Sequence, residues 1–145
     1  MNDQTLKLEN QLCFAVYACS KEITSMYRPL LTKLDLTFPQ YLVMLVLWEH
    51  KEISVKELGA QLFLDSGTLT PMLKRMETGG LVTRLRSEMD ERIVMIRLTE
   101  KGYSLKGEAA CIPEEVAPRF GISTEEYIKL LKQLHHITQT LQKGD

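Results

Sequence analysis

Apolar residues recur at steps of four or three along the first part of the chain. This spacing is typical of an amphipathic helix, because successive positions then fall on one side of the helix axis. It predicts a long first helix within residues 5–36, and Pro29 is predicted to bend or end this helix because proline lacks a backbone N–H. The apolar positions are Leu8, Leu12, Ala15, Cys19, Ile23, Met26 and Leu30.

Two capping patterns predict the next helices. Thr37, with Gln40 three residues later, precedes the apolar run 41–48, which is too apolar for a surface helix and is expected to lie at the centre of the core. Ser54 with Glu57 repeats this pattern and predicts a short helix.

A third helix is predicted after a tight turn. Proline fits within the first turn of a helix, so Pro71 leaves two alternatives: either Thr68 lies near the cap, or the helix begins at Ser66 with a local distortion. The pair Gly79-Gly80 is predicted to end the helix, because glycine adopts a positive φ without strain.

Two β-rich runs, 81–86 and 93–98, flank a polar segment and predict a hairpin. A helix-turn-helix followed by a hairpin, here residues 54–98, places its second helix in the major groove of DNA and its wing on the backbone or minor groove. The predicted fold is mainly α with a small β-hairpin wing, in a single domain of residues 1–145: a winged helix-turn-helix with dimerisation helices at both ends.

The C-terminal part, residues 100–143, is predicted to be helical. Thr99 is expected to cap a helix that is interrupted at Pro113, and Ser123 with Glu126 to cap a last helix that carries a second apolar stripe. Two such stripes suggest a homodimer interface built from the terminal helices; the alternative is that both pack on the domain's own core. The second stripe consists of Ile128, Leu131, Leu134, Ile137 and Leu141.

Composition narrows the class of protein. With 145 residues, 44% of them hydrophobic and 26% charged, the chain is expected to form one compact unit. A net charge of −1 argues against indiscriminate coating of nucleic acid. No apolar run is long enough for a membrane span and the start is unlike a signal peptide, so we expect a cytoplasmic protein without a membrane partner. The three cysteines and three histidines fall at no metal-ligand spacing, and no cofactor is expected.

The third helix and the wing carry the residues expected to contact double-stranded operator DNA. Hydroxyls at a helix start can meet phosphates or base edges, and Asp90 can brace the hairpin while the Arg92 guanidinium reaches a narrow minor groove. The alternative is that the hydroxyls only cap the helix and the cations form a solvated face. The candidates are Ser66, Thr68, Thr70, Lys74, Arg75, Arg84, Arg86, Asp90 and Arg92. The residues expected to face the core instead are Leu69, Met72, Leu73 and Met76.

Cys13 lies beside the first apolar stripe, in line with Tyr17 and Tyr27 at helical spacing. Hydroxyl donors next to sulfur can favour the thiolate, the form that attacks peroxides. Cys13 and Tyr27 are fourteen residues apart, roughly 21 Å along a helix, so they can meet only across a dimer. Cys19, on the stripe itself, is expected to be a small buried hydrophobe.

The chain resembles the MarR family of regulators along nearly its whole length. Within that family, segments 11–17, 27–31, 38–43 and 64–71 look like the organic hydroperoxide resistance regulators (OhrR). The resemblance implies a dimeric repressor whose N-terminal cysteine is oxidised by organic hydroperoxides to a sulfenic acid. A mixed or intersubunit disulfide then releases DNA.

Carried over by position, Cys13 matches the peroxidatic cysteine, Tyr17 and Tyr27 match hydroxyls near the sulfur, and Asp90 with Arg92 matches the wing pair. This chain departs from the pattern at two places. The family usually has tyrosine at the position of Phe38. The resolving cysteine of two-cysteine members would fall near Pro118, whereas this chain has Cys111, about 10 Å away along a regular helix. We therefore favour a small-molecule thiol as the second partner of Cys13, with a bridge to Cys111 as the alternative.

Two further functions stay open from the residues alone. One is a MarR-type regulator that a phenolic or lipophilic ligand releases from DNA without oxidation. The other, which is less favoured, is an enzyme: a thiol peroxidase that uses Cys13. No reducing-partner motif is evident in the sequence, and a peroxidase would have no use for the wing.

Overall fold

A computed structural model describes residues 3–144 and divides the chain between Ala110 and Cys111 into two compact units. The single domain expected from the sequence therefore stays a prediction. The first unit contains, in order, two short 3-10 turns (Asp3–Leu6 and Leu8–Asn10), α1 (Leu12–Thr32), α2 (Phe38–His50), β1 (Glu52–Ser54), α3 (Val55–Leu62), α4 (Ser66–Thr78), β2 (Val82–Arg86), β3 (Val94–Leu98) and α5 (Glu100–Ala109). The second unit contains α6 (Ile112–Val116), a 3-10 turn (Ala117–Phe120) and α7 (Thr124–Lys143). In residues 3–144 no helix has both the length and the apolar character of a membrane span.

The long first helix is confirmed, with different limits. It begins at Leu12 rather than near Leu8, because residues 8–10 form a 3-10 turn, and it continues through Pro29. The prediction that Pro29 could end the helix is wrong. The next two residues explain why: Leu30 and Leu31 are buried, and packing of apolar side chains stabilises a turn that proline alone would weaken.

The second helix forms the centre of the first unit, as predicted. Thr37 accepts a hydrogen bond from the backbone N–H of Gln40, and the Gln40 side chain accepts one from the backbone of Thr37, which completes the capping box. The indole N–H of Trp48 donates to the carbonyl of Gly102 over 2.9 Å, which fixes α5 against α2. The buried residues of α2 are Tyr41, Val43, Met44, Val46, Leu47 and Trp48.

The third predicted helix, α4, begins at Ser66, so the second of the two alternatives for its start is correct. Asp65 is the N-cap and accepts a hydrogen bond from the backbone of Thr68 over 2.7 Å, so Thr68 itself is not the cap. Pro71 consequently lies in the second turn, which corrects the expectation that it must lie in the first. Gly80 has φ +81° just beyond the helix, as the Gly79-Gly80 pair predicted. The inward face is the expected one: Leu69, Met72, Leu73 and Met76 are buried.

The hairpin is confirmed, and a third strand joins it. Strands β2 and β3 pair antiparallel with Val82 opposite Leu98. On the other side of β3, β1 places Ile53 opposite Ile96, so the sheet order is β1-β3-β2. A strand of three residues is too short to show alternation, which is why the sequence pattern did not predict β1.

Helix α5 is capped by Thr99, as predicted, and ends at Ala109, before Pro113 is reached. Pro113 instead lies in the first turn of the separate helix α6, where its missing N–H costs no hydrogen bond. The estimate of 10 Å between Cys111 and Pro118 required one regular helix and therefore does not apply. In the second unit, Ser123 and Glu126 form the predicted capping box of α7.

The stripe of α7 is as exposed as the stripe at the start of α1. None of its apolar residues is buried. An apolar stripe at this spacing is typical of a helix that packs on something, and both alternatives, a dimer interface and packing on the domain's own core, stay predictions.

Candidate nucleic-acid interface

The outer face of α4 carries the predicted contact residues. Ser66 and Thr68 are exposed on the first turn and Thr70 is half-buried on the next. Asp65 holds the start of the helix, and the hydrogen bond from Thr68 keeps the pKa of the Asp65 carboxyl below its ordinary value. The Asp65 carboxylate accepts from both the backbone and the side chain of Thr68, so the Thr68 hydroxyl takes part in the cap.

A groove of about 1050 Å³ lies between the start of α4 and the wing. Ser66 and Thr70 line it from the helix, Arg84 lines it from β2 and Arg92 from the loop of the wing, and Lys56 of α3 adds a third cation. The structure thus brings together residues that are up to 36 positions apart in the sequence. Lys56 was not among the predicted contacts, since a lone lysine in a short helix gives no signal in the sequence.

Lys74 and Arg75 lie further along α4, and both are exposed. Arg75 does not line this groove. It lies instead on a separate depression of about 410 Å³, together with Asp35 and Lys101. Lys101 donates to the carbonyl of Gly79 over 2.8 Å and so ties α5 to the end of α4.

The wing pair forms the brace expected from its spacing. Asp90 accepts three hydrogen bonds from Arg92: from the backbone N–H over 3.0 Å, from Nε over 3.1 Å and from Nη2 over 3.1 Å. The Arg92 guanidinium holds the pKa of the Asp90 carboxyl below its ordinary value. The Arg92 side chain is nevertheless 90% exposed, so its outer edge can reach an anion while Asp90 fixes its direction.

The two other arginines of the wing differ in their surroundings. Arg86 donates from Nη1 to the carbonyl of Glu91 over 2.9 Å, across the tip of the hairpin. The Nε of Arg84 is buried without a hydrogen-bond partner among the described residues, and its backbone N–H donates to the Glu77 carboxylate over 3.2 Å. Glu77 thereby links the last turn of α4 to β2, a role the sequence did not indicate.

The predicted sensor lies on a different surface. Cys13 is the second residue of α1 and is exposed. Tyr17, one turn further, is 61% exposed, with the Lys21 ammonium 5.3 Å from its ring centroid. Cys19 is also exposed, so the prediction of a buried Cys19 is wrong. Cys19 shares a helix face with Leu12, and no residue of this part of α1 is buried: the buried residues of the helix are Leu30 and Leu31.

Tyr27 belongs to a row of aromatic side chains between α1 and α2. Its ring centroid lies 5.3 Å from that of Phe38 and 5.7 Å from that of Tyr41, which in turn lies 6.3 Å from Trp48. Burial, and secondarily the neighbouring phenol of Tyr27, raise the pKa of Tyr41. Phe38 fills the position of the expected family tyrosine without supplying a hydroxyl.

Cys13 and Tyr27 lie in one uninterrupted helix, as the distance argument assumed. Cys111 is exposed and directly precedes α6. No disulfide joins the cysteines of the described part of the chain.

The fold and this surface define a winged helix-turn-helix DNA-binding protein, and comparisons with known proteins agree. A model of the family "Transcriptional regulator SarA/Rot" matches residues 25–109. The organic hydroperoxide resistance transcriptional regulator of Bacillus subtilis is 54% identical over 95% of this chain and 94% of its own. The chain therefore belongs to this family of winged-helix transcriptional regulators, in the branch of the organic hydroperoxide resistance regulators, which confirms the resemblance seen in the sequence.

Solved structures of AbfR from Staphylococcus epidermidis are also similar. Reduced AbfR bound to DNA matches with a TM-score of 0.82 and 32% identity, over 99% of this chain and 100% of that one. The disulfide form of AbfR matches with a TM-score of 0.65 and 35% identity, over 97% of this chain and 93% of that one. These relatives are transcriptional regulators rather than enzymes.

Proposed function

We propose that this protein is a homodimeric DNA-binding repressor that organic hydroperoxides release from its operator by oxidising Cys13. The observation that carries the proposal is the exposed Cys13 in the first half of α1, where no residue is buried. The same chain contains a complete winged helix-turn-helix in residues 54–98, which we call the reader. The similarity to reduced AbfR on DNA and to the Bacillus subtilis regulator supports both parts.

In this proposal α4 enters the major groove. The hydroxyls of Ser66, Thr68 and Thr70 meet phosphates or base edges, while Lys74 and Arg75 contact the backbone further along the helix. The wing then follows the sugar-phosphate backbone of the DNA, because the groove lined by Arg84 and Arg92 is continuous with the start of α4.

Arg92, braced by Asp90, reaches the minor groove, where a narrow groove concentrates negative potential. Arg84 has an Nε that needs an acceptor, and a phosphate oxygen would supply one. Arg86 is held by Glu91 and therefore stabilises the tip as well as adding charge. Lys56 joins these cations from α3.

Dimerisation explains the exposed stripes of α1 and α7. A second copy would cover both stripes and would set two readers about 34–36 Å apart, the spacing of half-sites on one face of DNA. It would also place Cys13 near Tyr27 of the partner subunit, a contact that one helix forbids because of the length between the two residues.

The chemistry at Cys13 requires a hydroperoxide and then a thiol. The thiolate attacks the terminal peroxide oxygen; an S–O bond forms, the O–O bond breaks, and the alkoxide leaves as an alcohol after taking a proton. The sulfenic acid then condenses with a small-molecule thiol to give a mixed disulfide and water. We favour this thiol over Cys111, because Cys111 does not lie on a continuation of α5 toward the position of the family's resolving cysteine.

The test compares C13S with C19S, a control that removes the other thiol of the same helix. Each variant is bound to an operator duplex, treated briefly with cumene hydroperoxide in the presence of a small-molecule thiol, and followed by fluorescence anisotropy. We expect C19S to leave the DNA as the unmodified protein does and C13S to stay bound. Release of C13S as readily as the unmodified protein would show that Cys13 is not the sensor. Release by a phenol without added mass on Cys13 would instead indicate a ligand-responsive regulator.

A further inference from the structure

Met89 lies at the tip of the wing and is 97% exposed. The other methionines of the described chain are better shielded: Met26 and Met95 are half-buried, and those of α2 and α4 are buried. Met89 is thus the one methionine of residues 3–144 whose thioether is open to solvent.

The tip that presents Met89 is held by hydrogen bonds. The backbone of Met89 donates to the hydroxyl of Ser87 over 3.2 Å. Below it, Ser87 and Ile93 close the hairpin, with Ser87 N donating to the carbonyl of Ile93 over 2.8 Å and Ile93 N to that of Asp90 over 2.9 Å. The side chain therefore projects from a fixed backbone, in a segment whose other residues, 87–92, are all polar or charged.

Met89 is three residues from Arg92, which the proposed function assigns to the minor groove. Methionine is one of the apolar side chains that proteins place against or between base pairs in that groove. A thioether is also the side chain that hydroperoxides convert to a sulfoxide, and exposure favours this reaction. If the wing contacts DNA as proposed for Arg92, the same side chain combines a position at the DNA-contacting end of the wing with access to the oxidant.

Resting on the proposed function, we infer that Met89 is a second oxidation site: an apolar contact to the minor groove that organic hydroperoxides convert to a polar sulfoxide, which weakens DNA binding independently of Cys13. The thioether sulfur attacks the terminal oxygen of the hydroperoxide; an S–O bond forms and the O–O bond breaks. Sulfur is oxidised by two electrons, the hydroperoxide is reduced to an alcohol, and the hydroxyl proton passes to the departing alkoxide. No thiol takes part, so thiol reductants do not reverse the step, whereas methionine sulfoxide reductases do.

The experiment uses full-length C13S and C13S/M89L on a duplex selected from a random library by the untreated, unmodified protein. Leucine keeps the apolar volume of methionine and cannot be oxidised in this way. Both variants are exposed to cumene hydroperoxide until mass spectrometry shows one added oxygen on the wing peptide of C13S. We expect the affinity of C13S for the duplex to fall about fivefold to tenfold, as loss of one apolar contact would cause, and that of C13S/M89L to stay at its untreated value.

Two further measurements complete the test. Methionine sulfoxide reductases should restore the affinity of oxidised C13S, and dithiothreitol should not. Untreated M89Q, which carries a polar side chain of similar length, should bind as weakly as the oxidised form.

The inference is overturned if C13S with oxygen on Met89 binds the duplex as tightly as before, if C13S/M89L weakens equally, or if the half-buried methionines are oxidised while Met89 is not. Failure of the proposed function gives a different result. In that case the unmodified protein selects no duplex, or C13S/M89L leaves the DNA as quickly as the unmodified protein when both are treated.

Discussion

The reader and the first half of α1 differ in where their apolar residues find partners. In the reader, Leu58, Leu69, Leu73 and Ile96 have no exposed surface, so this region completes its core within one chain. In residues 12–22 of α1 no side chain is buried. The region proposed to read DNA therefore has its core within its own chain, while the apolar residues in the region proposed to sense peroxide stay exposed there, and we propose that a second copy covers them.

This difference has a consequence for switching. A signal is transmitted when a local chemical change biases an element that has two arrangements. An interface between two copies is such an element, because its geometry sets the spacing of two readers whose own cores stay intact. In the proposed dimer, oxidation at Cys13 would then release DNA without unfolding the reader, and the two regions should respond differently to substitution.

The largest expected effect compares Leu73→Ala with Leu12→Ala. Leu73 is fully buried in α4, so L73A should lower the free energy of unfolding by about 3 kcal/mol, the usual cost of such a cavity. Leu12 is 65% exposed in its own chain, so L12A should act through association with a second copy. Urea unfolding at two protein concentrations separates the cases.

We expect the loss for L73A to be the same at both concentrations and the loss for L12A to grow as the protein is diluted, because association adds stability by mass action. A concentration-independent loss for L12A would contradict the view that a second copy covers α1.

The next effect concerns the close approach within the helix-turn-helix. A Cβ at Gly59 would lie 2.6 Å from the carbonyl oxygen of Leu64 and 3.2 Å from Leu69 Cδ1. Because the first of these is backbone and cannot turn away, G59A should destabilise the reader by about 1–3 kcal/mol and weaken DNA binding. Gly107 is the matched control: it also lies inside a helix, but a Cβ there meets nothing within 4 Å.

G107A should therefore raise stability by about 0.5–1 kcal/mol, since alanine loses less conformational entropy in a helix than glycine. Thermal unfolding followed by circular dichroism measures both variants. Equal effects of the two substitutions would show that the turn between α3 and α4 is looser than described.

The same contrast explains which features the sequence could predict. The capping boxes at Thr37 and Ser123 and the buried face of α4 depend on residues three or four positions apart, so the local pattern was sufficient. Strand β1 depends on pairing Ile53 with Ile96, far along the chain, and was missed. Burial of Cys19 was predicted from the stripe alone, but a stripe does not tell whether its partner is the same chain or a second copy.

Pro71 and Pro29 show a related limit. Both lie inside helices that the intrinsic preference of proline would have ended. Buried leucines on the same helices, such as Leu31 and Leu73, outweigh that preference. The residue types of α4 and the wing are enough to predict their contact residues, whereas only the folded chain brings Lys56 to the groove and Glu77 to β2.

The smallest expected effect tests the hydroxyl that this chain lacks. Phe38 is half-buried with its ring against Tyr27, so Phe38→Tyr should add a phenol at the edge of the aromatic row without disturbing the row itself. If that edge faces Cys13 of a second copy, the new hydroxyl can donate to the thiolate. A hydrogen bond to a charged group is worth about 1.5 kcal/mol, so F38Y should speed oxidation of Cys13 by cumene hydroperoxide by up to about tenfold.

The matched variant is Tyr27→Phe, which removes a hydroxyl from the same row and should slow the reaction. Stopped-flow measurement of thiol loss at Cys13, in a C19S/C111S background so that one thiol is followed, gives both rates. Dilution sharpens the result: a gain in F38Y that disappears when the dimer dissociates would show that the hydroxyl acts across the interface. A rate unchanged in both variants would contradict the proposal that the phenols of one copy lie beside Cys13 of the other.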